Sequence, residues 1–327
     1  MQQEKQAIRF GVGALAAALA IQLISISPLR PVLRSLVTPE TACVLMFLET
    51  GRLARPVAAR PQASPQPSVE PPSAQAVFSK EDALLIKVNS YCGYEAEPTE
   101  LLKMPLDWDL TQEGPQVLIV HTHGSESYQK RENYTETSRY RTLNTQYNMV
   151  SVGDRLAQLL EDGGVEVLHD RTVHDHPSYT NSYNESRKSI KKYLEQYPSI
   201  RLVLDVHRDA LQDSEGNQIG YTVETAVGTA ARVMMVVGTD AAGLKHPKWK
   251  ENLALAAKLH AQLEKNTPGL CRPISFRTQR FNQDLSPGAM LLEIGAAGNT
   301  RQEALCSAAL IAQGILDLAR GTEDPVW

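Results

Sequence analysis

The sequence predicts an α/β fold: a doubly wound, mainly parallel sheet with helices on both faces, preceded by an N-terminal transmembrane helix. Three observations predict it. From Val117 onward, short apolar runs alternate with segments of helical spacing, the order that builds a parallel sheet covered on both sides. The helical segments carry their own punctuation, such as Gly163-Gly164 after an amphipathic stretch. Near the N-terminus, residues 10–29 (FGVGALAAALAIQLISISPL) contain no charge, and a run of about 20 such residues is long enough to cross the hydrocarbon core as a helix.

The elements follow in chain order. Lys5 and Arg9 precede the apolar run, and Arg30 and Arg34 follow it, so flanking charge does not orient the span. The short N-terminus favours a cytoplasmic tail with the body outside. No small-residue cleavage site follows the run, which favours a retained anchor over a removed signal peptide. Residues 41–53 (TACVLMFLETGRL) are apolar but too short for a second span. Residues 55–76 (RPVAARPQASPQPSVEPPSAQA) hold almost no large apolar side chain and read as a semi-extended spacer. Residues 79–91 look like a short capped helix leading into the body. The divisions expected are 1–30 tail and anchor, 31–78 juxtamembrane segment and Pro-rich tether, 79–115 lead-in, and 116–321 body.

Within the body, residues 117–120 (VLIV), 165–168 (VEVL), 201–207 (RLVLDVH) and 289–295 (AMLLEIG) read as strands. YTVETAV and ARVMMVVG look like two neighbouring strands. Helical spacing covers 148–162, 184–197, 249–264 and 300–320, the first with Val152, Leu156, Leu159 and Leu160 on one side.

Composition removes several classes. Hydrophobic residues make up 42% of the chain, enough for a packed core, and the formal net charge is -4, which gives no basic face for nucleic acid. Cys43, Cys92, Cys271 and Cys306 form no C-x-x-C and no zinc-ribbon spacing, so no disulfide framework is indicated. A Cys92–Cys271 bridge has no local support. HGSES is not G-x-S-x-G, and no phosphate-binding glycine loop follows a strand.

What remains sits at strand ends. VHTHGSE supplies His121, His123 and Glu126; LDVHRDA supplies Asp205, His207, Arg208 and Asp209; LLEIG supplies Glu293. In such sheets ligands bind beyond the carboxyl ends of the strands. Two histidines and a carboxylate with an open fourth position are the usual catalytic zinc set. A further carboxylate that is not a ligand acts as proton carrier, and Glu293, in an apolar strand, suits that part. Each group has a plainer reading: H-x-H pairs often only cap strands, and Glu293 and Arg208 alone make a structural ion pair. His169, His174 and His176 read as solvated loop residues, and His246 and His260 as surface residues.

VLIVHTHGSESY, RTLNTQYNMVSVGDRLAQLLEDGG, LVLDVHRDA and SPGAMLLEIGAAGNT, in that order, resemble the stage II sporulation protein P family. The resemblance covers about residues 117–320 together with the anchor and tether. That family is similar to zinc-dependent N-acetylmuramoyl-L-alanine amidases. The resemblance implies cleavage of the amide between N-acetylmuramic acid and L-Ala in peptidoglycan, with peptide cross-links as a further target, during forespore engulfment. It also implies a Zn2+ cofactor, a place in the septal or engulfing membrane, and stage II sporulation proteins D and M as partners. Carried over by position, HRDA makes His207 a ligand, HG makes His123 the first ligand in preference to His121, and E-I-G makes Glu293 the catalytic base. The amidase glutamate ligand falls near Asn144 here, a poor zinc ligand. The third position is therefore open between Glu126, His121 and Glu136, with Glu126 preferred. Arg208 and Asn299 are candidates for holding substrate carboxylates or amides. Asn144 also keeps alive a second class: a wall-binding or scaffold module of the same fold without turnover.

Overall fold

The alternation of apolar runs and helical segments builds one seven-stranded sheet in the computed structural model, which describes residues 78–320 apart from 107, 108, 111 and 130–139. In chain order the elements are α1 (Lys80–Ala83), β1 (Val88–Ser90), α2 (Pro98–Lys103), β2 (Val117–Val120), α3 (Met149–Asp162), β3 (Val167–His169), α4 (Ser182–Gln196), β4 (Leu202–Asp209), β5 (Thr222–Thr225), β6 (Gly228–Ala231), β7 (Val233–Val237), α5 (Trp249–Asn266), β8 (Ile274–Phe276), β9 (Ala289–Ala296) and α6 (Arg301–Arg320). The sheet order is β1-β8-β7-β9-β4-β2-β3. All neighbours run parallel except β7 and β9, which are antiparallel. The expected anchor at residues 10–29, the 41–53 segment and the tether lie outside the described residues. Among the described residues, no helix is long and apolar enough to cross a membrane.

Two crossovers set the position of the site. From β2 the chain passes through α3 to β3 on one side, then through α4 to β4 on the other side of β2. This reversal is a topological switch point, where an α/β sheet opens a crevice at its carboxyl edge. The strands there are buried on both faces, which explains their unbroken apolar runs. On one face Val117, Ile119, Leu202, Leu204 and Val206 pack with Leu156 and Leu160 of α3 and Ile311 and Ile315 of α6. On the other, Leu118, Val120 and Val203 pack beneath Ile190 of α4. Side chains alternate along a strand, so Asp205 and His207 share the α4 face with Val203. α3 starts where the Asn148 side chain accepts from the Val150 N–H, an N-cap that frees the preceding loop to turn toward the site.

Two expectations change. YTVETAV and ARVMMVVG are not neighbouring strands: β5 pairs with β6 in a separate antiparallel hairpin, and β7 enters the main sheet between β8 and β9. The break falls at Arg232, whose N–H donates to the Tyr221 carbonyl, inside a run with no turn signal. His246 and His260 are buried, not surface. α5 is buried from Asn252 through Leu263, because the lead-in covers its outer side: Lys258 Nζ donates to the Leu102 carbonyl and lies 5.2 Å over the Phe78 ring. Burial lowers the Lys258 pKa to about 8. Cys92 and Cys271 are both free thiols, in keeping with the lack of local support for a bridge between them.

Candidate metal centre

β2 ends at Val120, and the chain turns through residues 122–125. That turn carries His123 off the strand direction and over the end of β4. The register of β4 and β9 aligns His207 with Glu293, which puts both side chains on the same face. Immediately beyond, the register slips at Asp209, and Gly295 takes φ +71°. A Cβ there would lie 2.8 Å from the Ala231 Cβ and 2.9 Å from the Asn299 Oδ1. The glycine of LLEIG is thus needed for a bulge that interrupts the pairing just past Glu293, before it resumes at Asp209 and Ala296.

Among the described residues, one group of His, Cys, Asp and Glu is able to hold a metal ion: His123, Glu126 and His207, with donor atoms all within 4.8 Å of one another. His123 Nδ1 lies 3.7 Å from Glu126 Oε1, and His207 Nδ1 lies 3.6 Å from Glu126 Oε2. Zinc bonds of about 2.0–2.2 Å in a tetrahedron separate neighbouring donors by roughly 3.3–3.6 Å. Two imidazole nitrogens and one carboxylate at these spacings fit that ion.

A buried frame holds the three groups. Asp205 Oδ1 lies 2.8 Å from His207 Nε2 and accepts from the Thr122 N–H, while Asp205 Oδ2 accepts from the Thr122 hydroxyl at 2.6 Å. A proton on His207 Nε2 facing Asp205 leaves the Nδ1 lone pair for a metal, the arrangement by which outer carboxylates orient ligating histidines. Glu126 Oε2 accepts from the Arg208 N–H at 3.3 Å, and Arg208 Nη1 lies 3.5 Å from Oε1. Arg208 also donates to the carbonyls of Ser127 and Tyr140, and Tyr140 adopts φ +56°, a strained backbone of the kind stored beside functional sites. The His123 ring stacks on Tyr179 at 4.6 Å between centroids and meets Tyr183 edge-on at 5.5 Å. Asp175, fully buried, takes the Ser125 N–H and hydroxyl and the Arg141 guanidinium.

Charge is distributed unevenly. Burial raises Glu126, but Arg208 and His207 outweigh it and hold the carboxyl at about 2. Burial opposes a charge on His207, but Asp205 and Glu126 push its pKa well above the usual imidazole value. Burial, with the neighbouring His207 charge, lowers His123 to about 4. For Glu293, burial raises the pKa, His207 pulls it down, Glu126 and Asp209 push it up, and the balance is about 8. Its Oε2 is buried with no hydrogen-bond partner.

Other residues singled out from the sequence lie elsewhere. His121 falls on the opposite face of the sheet. Its Nδ1 is 3.0 Å from the Val206 carbonyl and its Nε2 is 2.8 Å from His169 Nε2, while His169 Nδ1 is 3.1 Å from Asp154. His174, expected in solvent, is buried, with Nδ1 on the His121 carbonyl and Nε2 on the Ser189 hydroxyl; His176 is exposed. Asn144 is exposed, its side-chain oxygen accepting from the Gln146 N–H. Glu136 lies outside the described residues. Asn299 is buried, its amide bonded to Ala296, Tyr221 and Glu303. The sequence pattern does not by itself assign Asp205 a role; its D-x-H spacing, two residues on one face of a strand, is the signal that finds it. Nothing in the sequence announces Tyr179 or Arg141.

The His121–His169 pair dictates a glycine. A Cβ on Gly153 of α3 would lie 2.5 Å and 2.6 Å from the two Nε2 atoms. Alanine gains about 1 kcal/mol in helix propensity, but overpacking costs about 1–3 kcal/mol. Gly153→Ala is therefore expected to lower the denaturant midpoint; a raised midpoint would show that the imidazole pair is free to part.

Acid should weaken the metal-free protein early. His121, His123 and His169 are held neutral by burial, at about 3, 4 and 4, against 6.5 when unfolded. Unfolding takes up a proton at each below pH 6.5. Stability that is full above pH 6.5 is lost as pH falls toward 4, at about 1.4 kcal/mol per pH unit for each proton. Glu126 and Asp205, both at about 2, add a further loss from about pH 4.5 down to 2. His207 acts oppositely: its contribution is full below pH 6.5 and fades as pH rises through its raised folded-state value. Glu293 opposes part of this: burial holds it at about 8, so its cost to stability shrinks as pH falls from 8 toward 4.5. Urea midpoints should therefore fall between pH 6.5 and 4 at the net rate of the three imidazoles less this carboxyl; a flat profile would contradict the neutral imidazoles.

The family model described as stage II sporulation protein P matches residues 57–316. Stage II sporulation protein P of Bacillus subtilis (strain 168) is 30% identical over 233 residues, covering 64% of this chain and 54% of the relative; the chain spans about half the length of the curated relative it matches. Among solved structures, the CwlD amidase from Clostridioides difficile, in complex with the GerS lipoprotein, aligns at a TM-score of 0.39 and 15% identity over 63% of this chain and 96% of that one. The N-acetylmuramoyl-L-alanine amidase AmiC2 of Nostoc punctiforme aligns at 0.37 and 14%, over 63% and 97%. Scores of this size lie below the level at which two chains are assigned one fold.

Proposed function

The chain belongs to the stage II sporulation protein P family, and from that premise we propose that its body is a zinc-dependent peptidoglycan hydrolase cleaving the amide between N-acetylmuramic acid and L-Ala. The observation that carries this reading is the meeting of His123, Glu126 and His207 within 4.8 Å, with Glu293 in register beside His207.

His123, Glu126 and His207 would hold the ion. A zinc ion there supplies a Lewis acid for the scissile carbonyl and lowers the pKa of a coordinated water toward about 7. Glu293 takes the proton of the attacking water and returns it to the leaving nitrogen, as general base and then general acid. Asp205 keeps the Nε2 proton on His207. Arg208 keeps Glu126 ionised and ties the 126–140 loop to the end of β4. Asn144 is exposed and bonded within its own turn, outside the three-donor group, so it does not weaken the metal reading.

The wider expectations belong to the same proposal. Residues 10–29 anchor the chain, residues 31–78 let the body work away from the membrane surface, and cross-link cleavage and the partners D and M follow from the family resemblance. The test is metal analysis of purified protein followed by release of muropeptides from sacculi. About one zinc per chain, and release that a chelator stops and added zinc restores, is expected. Release that survives full removal of metal would overturn the mechanism.

A further inference from the structure

Beside the metal centre runs an open groove of about 1400 Å³ whose chemistry is one-sided. Among the described residues, its lining carries two guanidinium groups, Arg141 and Arg208, and four side-chain amides, but no carboxylate. It begins at the metal ligands themselves. Tyr179, on its wall, stacks on His123, and Arg141 Nη2 lies 3.6 Å from Glu126 Oε1.

The two arginines differ in what they face. Arg208 is 3% exposed and turned inward onto the Ser127 and Tyr140 carbonyls and Glu126. Arg141 is 26% exposed, is held from behind by Asp175 at 3.2 Å, and lies 4.2 Å over the Tyr179 ring. A planar guanidinium braced by a buried carboxylate and an aromatic face is pre-oriented, and its fork matches a carboxylate. Farther along, Gln212 and Gln218 offer both donors and acceptors, which suits an extended peptide backbone, while the Asn217 amide donates to Asp213 and Glu215.

We propose that this groove binds the peptide side of the substrate and that Arg141 pairs with a free carboxylate on it, selecting acidic peptides over their carboxamides. At about 3.3–3.6 Å per residue, that carboxylate lies within roughly three residues of the scissile amide. Arg208 holds the site from beneath, while Arg141 sets specificity. This inference rests on the reading of the metal centre as a wall hydrolase.

The test uses two muramyl-peptide substrates that differ only in whether that carboxyl is free or amidated. A charge-assisted pair of this kind favours the free acid by about tenfold or more in kcat/KM, carried mainly by KM. In Arg141→Gln the ratio should fall to about one, with zinc content as in wild type. Equal handling of the two substrates by wild type would overturn the proposal, as would a variant that keeps its zinc and its preference. Should neither substrate turn over, the hydrolase reading fails, and binding decides the groove separately. Calorimetry with the free-acid and amidated peptides should then show about tenfold tighter binding of the acid to wild type and no difference for Arg141→Gln.

Discussion

Replacing Glu293 by Gln is expected to lower the rate of wall hydrolysis by about 10²–10⁴-fold while leaving zinc content and the unfolding midpoint nearly unchanged. The geometry separates these outcomes. Glu293 is not in the ligand group but stands opposite His207 in the β4–β9 register, so the amide isostere fills the same space without removing a donor. Burial with no partner on Oε2 leaves this oxygen uncommitted to any structural bond, unlike Glu126 or Asp205. Its pKa of about 8 in the metal-free protein has a consequence for rate. A base must be ionised, so activity rises with pH through its titration, and a cation held beside it moves that limb to lower pH. The glutamine variant should lack the limb altogether. Normal turnover by Glu293→Gln on purified peptidoglycan would remove the proton carrier from the mechanism. Lost turnover accompanied by lost zinc would instead make Glu293 a part of the metal site.

The sequence carried the sheet and the corners of the site because both depend on local pattern. Continuous apolar runs mark strands buried on two faces, and the histidines and Glu293 follow those runs directly, so a parallel sheet alone gathers them at one edge. What did not show in the sequence depends on registers and turns between distant segments. His121 and His123 look equivalent as H-x-H. Only the turn that starts after Val120 separates them, sending His121 to the α3 face against His169 and His123 to the α4 face against Tyr179. Asp205 gains its role from the β2–β4 pairing, which brings Thr122 to its carboxylate. The burial of α5, His260 included, depends on the lead-in: helical spacing leaves an outer face on α5, and residues 78–103 fold back to cover it. Glu126 joins His123 and His207 although it follows His123 by only three residues, because the turn brings its carboxylate back toward that ring.

In the proposed centre Glu126 combines a ligand role with a structural one, and its replacement should have the largest effect on the folded state. In Glu126→Ala, zinc falls well below one per chain, because two imidazoles remain where three donors stood. Two positive groups also lose their buried partner: Arg208, at 3.5 Å, and His207, at 3.6 Å. Removing one member of a buried ion pair costs about 3–5 kcal/mol, so the metal-free variant should unfold at clearly lower denaturant. Part of that cost is relieved at higher pH. Without Glu126, one of the two carboxylates that raise the His207 pKa is gone, and the imidazole sheds its proton more readily. Glu126→Gln keeps the volume and an acceptor for the Arg208 N–H, so it should recover part of the stability but little of the metal. That divergence is the discriminating measurement. If the glutamine variant holds zinc as tightly as wild type, Glu126 is only the counter-ion of Arg208, and the third donor of the centre has to be sought elsewhere.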